Sequence, residues 1–295
     1  MNKIGVVGCK HTTKDFILGL EKNGISVDHC FTIDPDKGKE QKVSGYYDLV
    51  PFLNEKNIEY TVVQKYNLKS EKDIKDITVL GLDILFVIGW QRLIPEWLLN
   101  ILSIGAFGMH GSSKPLPYGR GRSPINWSLI EDRKIFYTHL FQYLPGIDDG
   151  HIIGVQTFDI NPFDTCLTLH FKNTISMVKL CSKYLPNLIN GTAIKIPQST
   201  EGITYYPKRT AEDGLIDWTK TTLEIYNLIR AVTHPFPGAF TYFNDKKYII
   251  WEAIPFDTQL KWFEAKLGEI VEEFFDGTFV VKTGDASLLI QKWEI

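Results

Sequence analysis

The run "LDILFVIG" at residues 82–89 is apolar throughout except for Asp83, and it ends at a glycine. A strand with one wet face alternates apolar and polar residues, so an unbroken run of this length describes a strand buried on both faces. Such a strand needs helices above and below its sheet, and the flanking sequence alternates accordingly. "KIGVVG" (3–8) is an apolar strand ended by Gly8, and "TTKDFILGLEKNG" (12–24) is a helix capped at Thr12 or Thr13 and stopped at Gly24. "SVDHCFTI" and "IEYTVV" read as strands and "YYDLVPFLNEKN" as a weak helix. "SEKDIKDI" is a helix opened by Ser70, "PEWLLNILS" a helix with proline in its first turn, and "GAFGMH" the next strand. The alternation predicts an α/β fold, a Rossmann-like, mainly parallel sheet with helices on both faces. Ligands bind beyond the carboxyl ends of such strands. His110 stands at one strand end, and Trp90, Gln91 and Arg92 stand at the end of its predecessor, on one expected rim.

The second half changes character. "IFYTHLFQYL" (135–144) is a strand, followed by the turn-rich "PGIDDGHIIGVQTFDI". A long helix is predicted from Thr165 to about Tyr184, because Pro186 disfavours helix in the residue before it. A polar linker with Pro197 and Pro207 then divides the chain into a catalytic domain, residues 1–200, and a C-terminal unit, residues 201–295. In the latter, Leu223, Tyr226 and Ile229 form a helical stripe, and the strand-like runs that follow end in "NDKK", "DG" and "GD". That is a small β-hairpin, OB-like unit.

With 32 basic and 35 acidic residues the net charge is −3, which argues against a protein that binds by neutralising a phosphate backbone. The four cysteines show no CxxC spacing, as expected of free buried thiols in a reducing compartment. The first apolar run is too short for a signal peptide, and no segment approaches the roughly 20 apolar residues of a membrane span. A cytoplasmic protein with no membrane insertion is expected. The seven histidines offer no HxH or HExxH spacing, so no metal is expected.

His110 and the turn "PGIDDG" (145–150) carry the candidate chemistry. A histidine exchanges a proton near neutral pH, best when a carboxylate orients its ring. Asp148 or Asp149 could supply that carboxylate. From spacing alone, a structural histidine and an ordinary Asp-Asp-Gly turn are the more common readings.

Three blocks, "GMHGSSKPLPYGRGRSPINWSLI", "YTHLFQYLPGIDDGHII" and "YYPKRTAEDGLIDWTKTTLEIYNLIRAVTHPFPGAF", resemble the successive signatures of the N10-formyltetrahydrofolate-dependent formyltransferases. That family includes methionyl-tRNA formyltransferase and the sugar-nucleotide N-formyltransferases. The blocks come in the family's order and the match spans nearly the whole chain. The resemblance implies His110 as the general base that takes a proton from the attacking amine, with Asp148 orienting it. Two residues before the histidine the family has an asparagine whose amide donates to the developing oxyanion; here stands Gly108. Losing such a donor typically costs about 10²–10³ in rate unless another replaces it. The favoured expectation is replacement by backbone amides of the "GSS" loop, by Ser112 or by Asn126. A protonated His110 doing this work, or an inactive protein, are the alternatives.

The resemblance also makes N10-formyltetrahydrofolate the expected formyl donor, wrapped by Trp90, Gln91, Arg92, Leu93 and Ile94 together with Leu144, Gly146 and Ile147. Ordinary core is the other reading of Trp90. Methionyl-tRNA formyltransferases carry a basic insertion after the second strand, and "TIDPDKGKEQKVSGYYDLVPFLNEKN" lacks it, so no nucleic-acid partner is expected. "HPFPGAFTYFNDKKYIIWEA" (234–253) resembles the sugar-nucleotide branch. A nucleotide sugar needs cations for its diphosphate and an aromatic face for its base. Tyr205, Tyr206, Lys208, Arg209, Arg230 and Phe236 are the candidates. Ser112 and the loop arginines Arg120 and Arg122 join them, the arginines either holding phosphate or bracing the loop. Lys10 and His11, in the loop before the first helix, are a further diphosphate candidate. The expected reaction formylates the amine of a nucleotide-linked amino-dideoxy sugar, such as a dTDP-4-amino-4,6-dideoxyhexose, for lipopolysaccharide O-antigen synthesis. Methionyl-tRNA formyltransferase, and a non-catalytic nucleotide-sugar or folate binder, are the alternatives. Exposed strands in the β unit allow a homodimer.

Overall fold

A computed structural model describes residues 2–295. The chain forms two compact units. The first comprises residues up to Gly121 together with 137–158 and 170–205; the second comprises 122–136, 159–169 and 206–295. The chain thus passes for the last time into the second unit at residue 206, inside the polar linker, and two earlier segments also belong there.

The first half of the chain runs β1 (Ile4–Val7), α1 (His11–Lys22), β2 (His29–Thr32), α2 (Pro35–Glu40), α3 (Val50–Glu55), β3 (Glu59–Val62), α4 (Glu71–Thr78), β4 (Ile84–Val87), α5 (Glu96–Ile101) and β5 (Gly105–Ser112). Then come β6 (Arg120–Gly121), α6 (Pro124–Ile130), β7 (Ile135–Gln142), β8 (Ile152–Asp159), α7 (Cys166–Ile189) and β9 (Tyr205–Tyr206). The large sheet has the order β3-β2-β1-β4-β5-β7-β8. Its β1, β2, β3, β4 and β5 pair in parallel, and β7 joins antiparallel to β5. The strand order reverses between β1 and β4, which is where sheets of this kind leave a crevice for ligands.

The apolar runs are buried on both faces, as their pattern predicts. Val6, Ile84, Phe86 and Phe107 pack on one face with Phe16 and Leu20 of α1 and Val178, Cys181 and Leu185 of α7. Val7, Leu85, Val87 and Ala106 pack on the other with Ile77 of α4 and Leu98 of α5. Each such side chain stabilises the fold by about 1.5–3 kcal/mol when fully buried.

Two boundaries differ from the sequence reading. Helix α1 begins at His11 with Lys10 as its N-cap; Thr13 sits inside the first turn, accepting from the Lys10 amide at 3.3 Å and donating to the Ile88 carbonyl at 2.7 Å. A hydroxyl with a buried partner just past β4 is drawn inward, away from the cap position. Helix α7 continues past Pro186 to Ile189, because Leu185 and Leu188 are both core residues and their packing outweighs one missing amide. All four cysteines are buried and free.

In the second unit α8 (Thr222–Val232) starts with a full capping box, Thr221 and Glu224 each bonding the other's amide. Strands β10 (Ala239–Phe243), β11 (Lys246–Pro255), β12 (Ile270–Glu273), β13 (Phe279–Lys282) and β14 (Ser287–Glu294) form an antiparallel sheet in the order β10-β11-β14-β13-β12, and α8 packs on its β10, β11 and β14.

Candidate active site

Strand β4 pairs with β5 only as far as Gly108, while β5 runs on to Ser112 against β7. His110 therefore stands on the part of β5 that outruns its neighbour, at the rim. Directly opposite it on β7 is His139, and residues opposite one another in an antiparallel pair share a face. The buried His139 ring accepts at Nε2 from the Leu116 amide (3.1 Å), so its proton resides on Nδ1, which donates to the His110 carbonyl at 3.2 Å. Burial pushes this imidazole down to about 4. His139 is a neutral strut under the backbone of His110.

The His110 side chain is 8% exposed and both ring nitrogens are addressed. Nε2 lies 2.7 Å from the carbonyl oxygen of Gly119. A carbonyl only accepts, so Nε2 carries the proton of the neutral ring. Nδ1 then presents its lone pair on the side of Asp148, whose Oδ2 lies 3.4 Å away. A proton taken up by this ring arrives at Nδ1, beside the carboxylate that stabilises the resulting charge.

Asp148 is held in place at a backbone cost. Its φ is +49°, in the left-handed region that costs a non-glycine residue on the order of 1–3 kcal/mol. The Gly121 amide donates to Oδ2 at 3.0 Å. Gln198 Nε2 donates to the carbonyls of Asp148 and Gly150, both at 2.8 Å. Gln198 Oε1 in turn accepts from Arg120 Nε at 3.2 Å and Nη2 at 2.7 Å. Arg120 thus braces the Asp148 turn through Gln198. Gln198 lies in the polar linker with no motif around it, and nothing in its local sequence singles it out. Gly146 has a simpler role: a Cβ there would stand 1.8 Å from Asp149 Oδ2, so only glycine lets Asp149 fold back over the turn.

At residue 108 a Cβ would stand 2.0 Å from a ring carbon of Tyr143. That ring stacks on Phe141, with centroids 5.1 Å apart. Two of the expected substitute donors are already engaged. Ser112 Oγ donates to the Tyr118 carbonyl and Asn126 to the Ala231 carbonyl, each at 2.6 Å.

On the loop after β4, Trp90 is packed in the core against Tyr66, edge to face at 4.5 Å. The Gln91 amide donates to the Tyr66 hydroxyl at 3.0 Å, and Arg92 lies 4.8 Å over the same ring. Ile94 is buried, whereas Leu93 is 56% and Ile147 50% exposed; Leu144 is half-buried. Among the described residues, Trp90 Nε1 and Asp149 Oδ1 are buried polar atoms with no hydrogen-bond partner. One is a donor and one an acceptor, on the two loops expected to hold the formyl donor. With exposed apolar Leu93 and Ile147 beside them in sequence, these residues fit a flat heterocycle that carries both donors and acceptors.

Tyr205, exposed, receives a long 3.5 Å contact from Arg120. Lys10 closes the N-terminus of α1.

In the second unit the candidate cations divide sharply. Arg230 is 5% exposed and donates to Asn227 (2.8 Å) and to the carbonyls of Asn161 (3.0 Å) and Asp164 (2.8 Å). Arg209 lies over Trp127, on which Tyr206 also stacks at an interplanar angle of 10°. Lys208 is exposed and Phe236 half-buried in the turn after α8. Arg122 is half-buried, and among the described residues its guanidinium has no hydrogen bond or ion pair. A cavity of about 400 Å³ in this unit is lined by Thr222, Phe256, Asp257, Asp285 and Ser287, none of them a predicted site residue.

Among the described residues no group of His, Cys, Asp or Glu side chains is arranged to hold a metal ion, and no helix is long and apolar enough to cross a membrane.

Two family profiles match the chain, "Formyl transferase" over residues 2–177 and "Formyl transferase, C-terminal domain" over residues 208–295. Among solved structures, HypX from Aquifex aeolicus in complex with tetrahydrofolic acid is similar at a TM-score of 0.67 and 18% identity, over 99% of this chain. This chain spans only 44% of HypX. An N-formyltransferase from Helicobacter canadensis, solved with folinic acid and dTDP-3-aminofucose, is similar at a TM-score of 0.68 and 20% identity, covering 99% of this chain and 100% of that one. A methionyl-tRNA formyltransferase from Clostridium thermocellum follows at a TM-score of 0.58 and 18% identity, covering 86% and 93%. At these identities the three show a shared fold.

Proposed function

The chain belongs to the formyl transferase family, and from that premise we propose that it transfers a formyl group from N10-formyltetrahydrofolate to the amine of a nucleotide-linked amino-dideoxy sugar. The observation that carries the reading is the His110 ring, its tautomer set by Gly119 and its basic nitrogen turned toward Asp148. The bound folate supplies an activated formyl carbon. His110 Nδ1 takes the proton that the amine loses as its new carbon–nitrogen bond forms, and Asp148 stabilises the imidazolium. The proton then returns to the folate nitrogen as the old carbon–nitrogen bond breaks. His139 and Gln198 hold these two groups in register.

The sugar-nucleotide acceptor is supported by the end-to-end likeness to the Helicobacter canadensis enzyme, whose ligand is a dTDP-amino sugar. The balance of −3 in net charge gives no support to a tRNA substrate. Arg122 and Lys208 are the candidate cations for a diphosphate, since Arg120 and Arg230 are engaged within the fold. Tyr205 offers the base an exposed ring. The folate-side residues are those of the loops around Leu93 and Ile147.

The test is tetrahydrofolate release with N10-formyltetrahydrofolate and a panel of amino-sugar nucleotides, with initiator methionyl-tRNA alongside. Turnover on one sugar nucleotide that disappears in His110→Ala supports the proposal. Turnover on the tRNA alone, or on nothing in the panel, sinks it.

A further inference from the structure

Attack on a formyl carbon drives negative charge onto the formyl oxygen, and that charge needs a fixed donor in a site shielded from water. Gly108 supplies no side chain, and Ser112 and Asn126 donate elsewhere. The structure shows what fills the space instead. Alternation along β5 puts Gly108 and His110 on one face. Gly108 pairs with Phe141 and His110 with His139, so the same face continues onto β7. Tyr143, two residues beyond Phe141, lays its ring on Gly108: three ring carbons lie within 2.0–3.0 Å of where a Cβ would be. No side chain at residue 108 can coexist with that ring in place.

We propose that the Tyr143 hydroxyl is the hydrogen-bond donor to the formyl oxygen in this chain, taking the place of a donor at residue 108. The assignment rests on the formyl-transfer reading above. Two further observations fit it. Among the described residues the Tyr143 hydroxyl has no hydrogen-bond partner, although its backbone amide is bonded to Ala106. Burial, and after it the nearby charge of Asp148, push the phenol well above its ordinary value, so the group remains a protonated donor throughout the working range. The hydroxyl therefore shares the electrostatic environment of the carboxylate that serves His110. In the reaction it keeps its own proton and lends only a hydrogen bond, so the transfer of the amine proton to His110 is unchanged.

Three variants and three readouts test this. Tyr143→Phe removes one oxygen and leaves the ring on Gly108. It is expected to lower kcat about 10²–10³-fold with both KM values held, the usual loss for one oxyanion donor. The second readout needs no turnover: the infrared carbonyl band of a ¹³C-formyl-labelled donor, bound without acceptor, shifts to higher frequency in Tyr143→Phe as its hydrogen bond is lost. Gly108→Asn alone is expected to lower Tm because of the ring beneath it. Gly108→Asn combined with Tyr143→Ala regains both stability and turnover, which a purely structural tyrosine would not produce. A kcat of Tyr143→Phe within threefold of wild type, or an unmoved carbonyl band, overturns the assignment. A band that moves in a protein that formylates no amine would sink the proposed reaction and leave Tyr143 as the donor to the bound formyl group.

Discussion

The 2.7 Å contact between His110 Nε2 and the carbonyl of Gly119 decides which nitrogen of the neutral histidine carries its proton. Because that carbonyl can only accept, the basic lone pair is at Nδ1, facing Asp148 at 3.4 Å. A triad in which the carboxylate holds the proton of the resting ring would need the opposite tautomer. Here the carboxylate faces the unprotonated nitrogen.

His110→Ala should lower kcat by about 10²–10⁴, the range for a lost general base, while leaving folate binding intact. Asp148→Asn keeps the shape but removes the charge that meets the proton. It should lower kcat with little effect on Tm. Steady-state tetrahydrofolate release and a titration of folate fluorescence separate the two parameters. Full activity in Asp148→Asn would show that the charge has no role.

Gln198→Leu should weaken catalysis from outside the reacting centre. It strips the donors from the carbonyls of Asp148 and Gly150 and leaves Arg120 without its acceptor. Each unsatisfied buried group costs about 1–3 kcal/mol. The turn that holds Asp148 at φ +49° would relax toward an ordinary conformation. A drop of at least tenfold in kcat is expected together with a lower Tm. An unchanged pH–rate profile with a lower Tm alone would reduce Gln198 to a stability role.

Stability should fall in acid over a window set by His139. Its pKa is pushed down by burial from 6.5 to about 4. Between those values the unfolded chain binds the proton and the folded chain does not, so stability rises with pH there and is lost as pH falls from about 6.5 to 4. The shift corresponds to roughly 3 kcal/mol over the window. His170 is pushed down to about 4 as well and burial also lowers His29, so the total loss has three contributors. Urea midpoints between pH 4 and 7 should flatten in part in His139→Gln. Parallel curves for variant and wild type would remove His139 from this account.

Arg230→Ala should unfold rather than mis-bind. The guanidinium is buried and bonded to Asn227 and two carbonyls. Its removal leaves those acceptors bare, at a cost of about 3 kcal/mol or more. Tm should fall by several degrees with KM for the sugar nucleotide held, whereas Arg122→Ala should raise that KM with Tm held. The reverse pattern would return Arg230 to the substrate site.

Much of this protein is written locally in its chain. The unbroken apolar run ending at Gly89 required a strand covered on both faces, and alternate residues of it do enter the two cores. The family resemblance, and no local spacing, singled out His110 and Asp148, which the fold brings to within 3.4 Å. Tertiary structure alone decided the rest. It brought Gln198 to a carbonyl fifty residues away, laid Tyr143 on Gly108, and divided the arginines into those spent on the fold and one left unengaged. It also carried α7 past Pro186 and moved the cap of α1 to Lys10. Periodicity and turn chemistry report what a segment does with its neighbours in sequence. Which hydrogen bonds a guanidinium or a phenol makes depends on groups that only the folded sheet brings within 3 Å, and no local pattern encodes that distance.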